Sequence, residues 1–280
     1  MSTVLVIGAN STIARAILPH LAMHHQIITA GRKDCDVYCD VTKEVTVPSG
    51  VDVVVNFAAA FGGSTDEEAE IAVQTNKLGV LRVCEAAKKA GVEQVVHISS
   101  VFALLSPADP GFSIYARTKR EGDELAEAYA AEHNLLLVIL RPSRIYGDDR
   151  SFAAGQPFLY QLIDMASRGE DITLHGTKAA RRNYIHVADL AEIVARVIDQ
   201  KVSGVYACVH PEDVTLTEIA ITAQNIYGMG GHRQLQGDKP DTPDDKAVDD
   251  VLLYEKIGYR PIISMQTGIE RIKQHMEEAA

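Results

Sequence analysis

The sequence predicts a doubly wound α/β fold: a parallel sheet covered by helices on both faces, with a smaller α/β lobe. Three observations predict it. Short, continuously apolar, β-branched runs alternate with helical stretches through the first half. The first of these runs passes through a glycine directly into a helix. The rhythm then breaks after Tyr146, where loops and short elements take over. Right-handed crossovers between parallel strands place ligands at the carboxyl ends of the strands.

In chain order, residues 3–7 (TVLVI) read as a buried strand, and 13–23 carry apolar residues at helical spacing. Residues 26–30 form a second strand and 51–57 a third, followed by a long helix over about 67–90. Residues 94–98 form a fourth strand, 113–132 a helix and 135–140 a fifth strand. Beyond these, 147–155 is loop-like, 157–168 and 189–199 are helical, and 204–209 is another strand. Residues 228–250, rich in Gly, Pro and Asp, read as a loop or a small irregular element, and 267–278 as an amphipathic helix. The expected division is a dinucleotide-binding domain over 1–146, with returning segments about 183–208. A smaller substrate lobe takes 147–182 and 209–280.

Composition narrows the function. The 280 residues carry a net charge of −11, with 46% hydrophobic and 23% charged residues, as in ordinary globular proteins. The acidic balance argues against non-specific nucleic-acid binding, which needs clustered Lys and Arg. No apolar run approaches the roughly 20 residues that span a bilayer, and the N-terminal run has no basic flank. Four cysteines are too few for a disulfide scaffold. Cys35 and Cys39, with no second Cys or His pair nearby, read as solvated loop thiols and not as a metal site. His20, His24 and His25 read as cations near a helix C-terminus, and His97 as a satisfied core residue. A reducing cytoplasm fits this cysteine usage.

Residues 4–14 (VLVIGANSTIA) form a strand, a Gly turn and a helix, where a dinucleotide pyrophosphate sits against backbone N–H groups and the helix dipole. Gly8 permits the tight turn. Asn10, Ser11 and Thr12 add donors or cap the helix, and Gly8 to Ile13 cradle the phosphates. The second strand ends AGRK, with Gly31 where an NAD site commonly has a carboxylate. Arg32 there favours the 2′-phosphate of NADP, with NAD the alternative. Asp40 and Val41 fall where such Rossmann-type folds pack the adenine edge. The third strand ends in Phe57, Ala58 and Ala59, small or apolar residues where a nicotinamide ring lies. Ser99 and Ser100 end the fourth strand in the same crevice.

Tyr115 and Lys119 in YARTK share one helix face. An ammonium beside a phenol lowers its pKa toward general acid/base use, and a Ser hydroxyl can hold a reacting carbonyl oxygen.

These segments resemble the extended short-chain dehydrogenase/reductases of the NAD-dependent epimerase/dehydratase type. VIGANSTIA, DVVVNFAAAF, the stretch ending HISS, YARTK, LRPSRIYGDD and RRNYIHVADL occur in that family's order. The resemblance implies that Tyr115 is the general acid/base, Lys119 its partner and a Ser or Thr the oxygen holder. The family's usual hydroxyl position is Val101 here, so Ser100, or less favourably Ser99, takes that part. The Asp-Glu pair of the family's dehydratases is replaced by Phe102 and Ala103, which argues against dehydration. Pro142 then lies near the nicotinamide, and Arg144 and Arg182 near an anionic part of the substrate. For Arg144 a salt bridge to Asp148 or Asp149 is the competing reading. His186 and Asp189 read as structural. Lys239 stands near the place of the Arg that contacts nucleotide-sugars.

The implied activity is an NAD(P)-dependent epimerase or oxidoreductase at a secondary alcohol or ketone carbon, foremost of a nucleotide-sugar. A reductase of a small carbonyl compound is the first alternative, and an NADP-binding sensor with little catalysis the second. The family also implies a homodimer through the long helices.

Overall fold

The computed structural model describes residues 1–245, 248 and 251–278. They divide into two compact units. Unit 1 comprises Met1–Pro142, Leu190–Cys208 and Asp250–Tyr259; unit 2 comprises Ser143–Asp189, Val209–Asp249 and Arg260–Ala280. Residues 143–146 and 183–189, expected with the first unit, thus fall in the second. Residues 250–259 do the reverse.

Unit 1 is the doubly wound sheet. Its strands are β1 (Thr3–Ile7), β2 (Gln26–Gly31), β3 (Val37–Tyr38), β4 (Val53–Asn56), β5 (Gln94–Ile98), β6 (Leu136–Pro142) and the strand Gly204–Cys208. The spatial order from one edge is Gly204–Cys208, β6, β5, β4, β1, β2, β3. Every pairing in it is parallel. β4 and β5 are buried along their whole length, which is why they read as unbroken apolar runs. The chain order reverses between β1 and β4, which creates the crevice where this fold binds ligands.

The helices are α1 (Thr12–Ala22), α2 (Asp66–Ala72), α3 (Gly79–Ala90), α4 (Ile114–His133), Val187–Asp199 and Val251–Ile257. The single helix expected over 67–90 is interrupted: Val73–Leu78 is a π-helical segment between α2 and α3. This segment lies close against α4. A Cβ on Gly122 would stand 2.0 Å from the Asn76 carbonyl oxygen, so the two backbones touch where no side chain fits.

Unit 2 is built from short pieces. Arg144–Tyr146 pairs in parallel with Tyr184–His186, and Val214–Thr215 antiparallel with Arg181–Arg182. Arg233–Gln236 pairs in parallel with Ile172–His175. Within 228–250, read as a loop or a small irregular element, the structure thus has a short strand. The end of that loop, with Lys246, Ala247, Asp249 and Asp250, lies outside the described residues. Helices Pro157–Ser167, Leu216–Tyr227 and Met265–Glu278 complete the unit. Leu216–Tyr227 opens on a capping box, Thr215 with Glu218.

Candidate active site

The turn after β1 is shaped by Gly8, at φ +76°. A Cβ there would lie 2.7 Å from the Ala58 amide nitrogen, so only glycine lets the turn back onto the loop after β4. Ser11 caps α1, its hydroxyl accepting from the Ala14 amide at 3.2 Å. The opening amides of α1 at Thr12 and Ile13 have no partner within the helix by its geometry, as an anion site requires. Asn10 departs from expectation: its amide donates to the Lys33 carbonyl and its Oδ1 accepts from Cys35 Sγ at 3.6 Å. It therefore ties the turn to the residues after β2 instead of offering a donor to phosphate.

At the end of β2 a side chain at position 31 would press on Cys35. A Cβ on Gly31 would stand 2.9 Å from Cys35 Sγ. Arg32 is exposed. Asp40 Oδ1 accepts from the Thr42 hydroxyl at 2.7 Å and its amide at 3.1 Å. The hydroxyl bond is the chief reason its carboxyl sits below the usual range. Val41 is buried against Gly79. Cys39 is buried and its thiol is pushed up to about 11, mainly by burial, which corrects its reading as a solvated thiol. Among the described residues no cluster of His, Cys, Asp and Glu is arranged to hold a metal ion.

The carboxyl end of β4 supplies Phe57 and Ala58. The Phe57 amide donates to the Ile7 carbonyl of β1 at 2.9 Å, which closes the gap between the two strands at the reversal point. Ala59 is exposed beside them.

Tyr115, Lys119 and Asp123 follow one another at helical spacing along α4. The Ser100 side chain faces the Tyr115 phenol and favours its ionised form. Burial pushes the phenol up to about 12, with the Asp123 charge adding to the rise and Ser100 opposing it. The expected lowering by Lys119 is thus not what these side chains produce. The Lys119 ammonium is buried and donates to the Ile98 carbonyl at 3.0 Å. Burial brings it down to about 8, against the pull of Asp123. Pro142 ends β6, buried.

Ser99 and Ser100 divide their work. Ser99 Oγ donates to Asp123 Oδ2 at 2.9 Å, so it is committed to the core. Ser100 caps the short 3₁₀ turn Val101–Leu104 and faces Tyr115. Phe61, 73% exposed, stacks on the Tyr115 ring with centroids 5.1 Å apart. Phe102 meets the same ring edge-on at 6.2 Å.

In unit 2, Arg144 grips Asp245 with Nε at 2.7 Å and Nη2 at 2.8 Å. Its partner is therefore neither Asp148 nor Asp149. Arg182 donates to the Pro243 carbonyl at 2.7 Å and lies 3.5 Å from the same Asp245 carboxylate. Lys239 Nζ lies 3.3 Å from His175 Nε2. His186 receives the Ala188 amide on Nδ1 and bonds Asp148 through Nε2 at 2.8 Å. Asp189 accepts from the Ile262 and Ile263 amides. Both are structural joints. In unit 1, His20 pairs with Glu192 at 3.0 Å.

Three buried polar residues, Asn76, Asn56 and Asp123, were not anticipated. Asn76, in the π segment, accepts from the Ala60 amide at 2.9 Å and donates to its carbonyl at 2.8 Å and to Thr118 Oγ1 at 3.1 Å. Asn56 accepts from the Ala58 amide at 3.0 Å. Asp123 receives Arg141 Nε at 2.8 Å. His97 is bonded on Nδ1 only; its Nε2 has no hydrogen-bond partner, contrary to its reading as satisfied. The available signal was the polar residue in an apolar context: Asn56 ending VVVN, and Asp123 two turns after Tyr115.

Similarity to known proteins agrees with this geometry. The pattern of the NAD dependent epimerase/dehydratase family matches residues 4–208. The chain is 24% identical over 308 residues to probable GDP-L-fucose synthase 1 of Oryza sativa subsp. japonica, covering 98% of this chain and 92% of that one. It is 22% identical to UDP-glucuronic acid decarboxylase 5 of Arabidopsis thaliana, over 72% of this chain and 63% of the relative. Its fold superposes with a TM-score of 0.80 on a mutant UDP-glucuronic acid 4-epimerase from Bacillus cereus, solved with NAD and UDP-4-deoxy-4-fluoro-glucuronic acid. Identity there is 18%, with 99% of this chain and 100% of that chain covered. With a glycine turn at the strand-order reversal, Tyr115 and Lys119 on α4 and this match over most of its length, the chain belongs to the NAD dependent epimerase/dehydratase family.

Proposed function

We propose that the chain is an NAD(P)-dependent epimerase or reductase acting at a secondary alcohol or ketone carbon of a nucleotide-sugar. The observation that carries this reading is the placement of Tyr115 opposite Ser100, with the buried Lys119 one turn further along α4, at the carboxyl end of β5. Gly8 and the opening amides of α1 would hold the pyrophosphate, Asp40 and Val41 the adenine edge, and Phe57, Ala58, Ala59 and Pro142 the nicotinamide. Arg32, exposed beside Gly31, which carries no carboxylate, favours the 2′-phosphate of NADP over NAD.

The chemistry the nicotinamide supplies when bound is hydride exchange at the reacting carbon. The chain's own groups manage the proton. Tyr115 is a neutral phenol at neutral pH and donates its proton to the carbonyl oxygen as that oxygen gains charge. Ser100 holds the same oxygen in place. Lys119, charged below about pH 8, stabilises the tyrosinate that results. Phe102 and Ala103 carry no group for dehydration.

Arg144 and Arg182 would bind an anionic part of the substrate. One observation favours a second reading, reduction of a small carbonyl compound: Asp245 already neutralises both guanidinium groups. The deciding experiment is turnover of UDP- and GDP-sugars against small ketones, with Tyr115→Phe as control. Turnover of neither class, with cofactor bound, leaves a cofactor-binding sensor. We further read the faces of α2, α3 and α4 as a homodimer surface and a reducing cytoplasm as the setting of its four free thiols. Among the described residues no helix is long and apolar enough to cross a membrane.

A further inference from the structure

The buried groups behind Lys119 form a chain whose proton positions can be deduced. The Ala58 amide can only donate, so the atom it meets in Asn56 is the carbonyl oxygen. The Asn56 NH₂ group therefore faces His97 Nδ1, 3.3 Å away. An NH₂ group can only donate, so Nδ1 carries no proton. His97 is then the neutral tautomer with its proton on Nε2. That nitrogen lies 3.7 Å from Asp123 Oδ1, both side chains being fully buried. Neither atom has a hydrogen-bond partner. The other oxygen of Asp123 accepts from Ser99 and Arg141.

We propose that His97 is a positioning residue: held by Asn56 with its proton on Nε2, it directs that proton at Asp123 and keeps this carboxylate ionised, which in turn holds the charge on Lys119. The inference rests on the reading of Lys119 as partner of Tyr115. It adds a physical link from the Ala58 amide, which backs the Gly8 turn, to the lysine of the catalytic helix.

The surrounding charges are consistent with one direction of effect. Asp123 is faced by Arg141 from β6, by Ser99 and His97 from β5, and by Lys119 and Glu127 from its own helix. Burial drives His97 well below its ordinary value, and the charges of Lys119 and Arg141 drive it further. It is thus a fixed dipole and not a second cation. Burial raises Asp123 above the usual carboxylate value, while Arg141, Ser99 and Lys119 oppose the rise. Removing the Nε2–H dipole that faces Oδ1 from 3.7 Å moves Asp123 further toward its neutral form. The ammonium of Lys119 then loses the one anion that opposes its desolvation.

Two measurements on the full chain test this without any substrate. Long-range ¹H–¹⁵N spectra of ¹⁵N-histidine protein should show His97 protonated on Nε2 alone and unchanged down to about pH 5, well below the ordinary histidine value. A proton on Nδ1, or a histidinium near neutral pH, overturns the proposal. In protein labelled at lysine ¹³Cε, the Lys119 midpoint should fall by about 0.5 pH unit or more in His97→Leu and recover in His97→Gln, whose amide donates from nearly the same place. Equal midpoints in parent and His97→Leu also overturn it, as does a fall that His97→Gln fails to reverse. If His97→Leu does not fold, the parent spectra and Asn56→Ala decide: Asn56→Ala should release the tautomer preference. Absence of turnover with every sugar and ketone would overturn the enzymatic reading, whereas the role of His97 toward Asp123 and Lys119 stands or falls on these spectra alone.

Discussion

Arg144 and Asp245 face each other fork to fork, 2.7 and 2.8 Å across two hydrogen bonds, and Arg182 leans on the same carboxylate from 3.5 Å. One aspartate thus covers both arginines that the sequence offers for an anion. A phosphate arriving there has to displace a bidentate, charge-assisted contact. Asp245→Ala removes the carboxylate that competes with an incoming anion for both guanidinium groups. The expected result is a KM for a UDP- or GDP-sugar roughly three- to tenfold lower, or about 1 kcal/mol, with kcat little changed. A KM that rises would show that Asp245 orders the arginines instead of competing for them.

Tyr115→Phe removes the hydroxyl and keeps the ring against Phe61 and Phe102. A general acid/base is worth about 10²–10⁴-fold in rate. The kcat should fall by that factor while the dissociation constant for the nicotinamide cofactor, measured by calorimetry, stays within about twofold.

Activity should depend on pH through Lys119, whose ammonium is brought down to about 8 by burial. It is charged below that pH and neutral above it. A reaction that needs the charge to stabilise tyrosinate therefore has a kcat/KM that declines as pH rises past about 8. Asp123→Asn should move that decline to lower pH, since the anion opposing desolvation is gone. A profile that stays flat up to the onset of unfolding would remove Lys119 from the rate.

Gly122→Ala tests the contact between α4 and the π segment. Its Cβ would meet the Asn76 carbonyl oxygen at 2.0 Å, so α4 and residues 73–78 must separate. The expected loss is about 3 kcal/mol in a denaturant titration, in the upper range for overpacking a core. Cofactor affinity should drop with it, because Asn76 holds the loop at Ala60.

Acid sensitivity should centre on Asp148 in unit 2. Burial pushes its carboxyl up, but bonds to His186 and Arg271 outweigh that and hold it well below the usual carboxylate range. A folded-state pKa below the unfolded value of about 4 adds stability that is present above that pH and lost as pH falls further. Asp148→Asn should cost roughly 1–2 kcal/mol at pH 7, a cost that shrinks steadily as pH falls below about 4, read from unfolding midpoints across that range.

How much of this could be read from the chain follows from where the constraint lies. β1, β4 and β5 are covered on both faces, so their burial is written as apolar runs. Gly8, Ser11, Tyr115 and Lys119 sit at fixed local spacings, and local spacing is what a sequence displays. Unit 2 was harder, because strands of two to four residues such as Arg181–Arg182 carry no period. Arg233–Gln236 is exposed throughout and shows no alternation. The helix Leu216–Tyr227 was legible, since Thr215 and Glu218 form a capping box, and it was missed. Asn56, His97 and Asp123 come from three separate elements, and only the fold brings them to one place. The partner of Arg144 was misjudged for the same reason: Asp245 is far along the chain, while Asp148 and Asp149 are near.

The π segment between α2 and α3 has a geometric consequence for everything downstream of it. Each residue of an α-helix turns the chain about 100°, whereas residues 73–78 close their bonds one residue wider. The apolar stripe of α3 is therefore out of phase with that of α2, and a single helical wheel cannot describe residues 66–90. Removing one residue from 73–78 would bring the two stripes into line as one straight rod. It would also rotate Asn76 away from Ala60 and Thr118, the loop and the helix it joins. The extra residue sets an angle: it lets one rod address the sheet with one side and the loop beside Tyr115 with another.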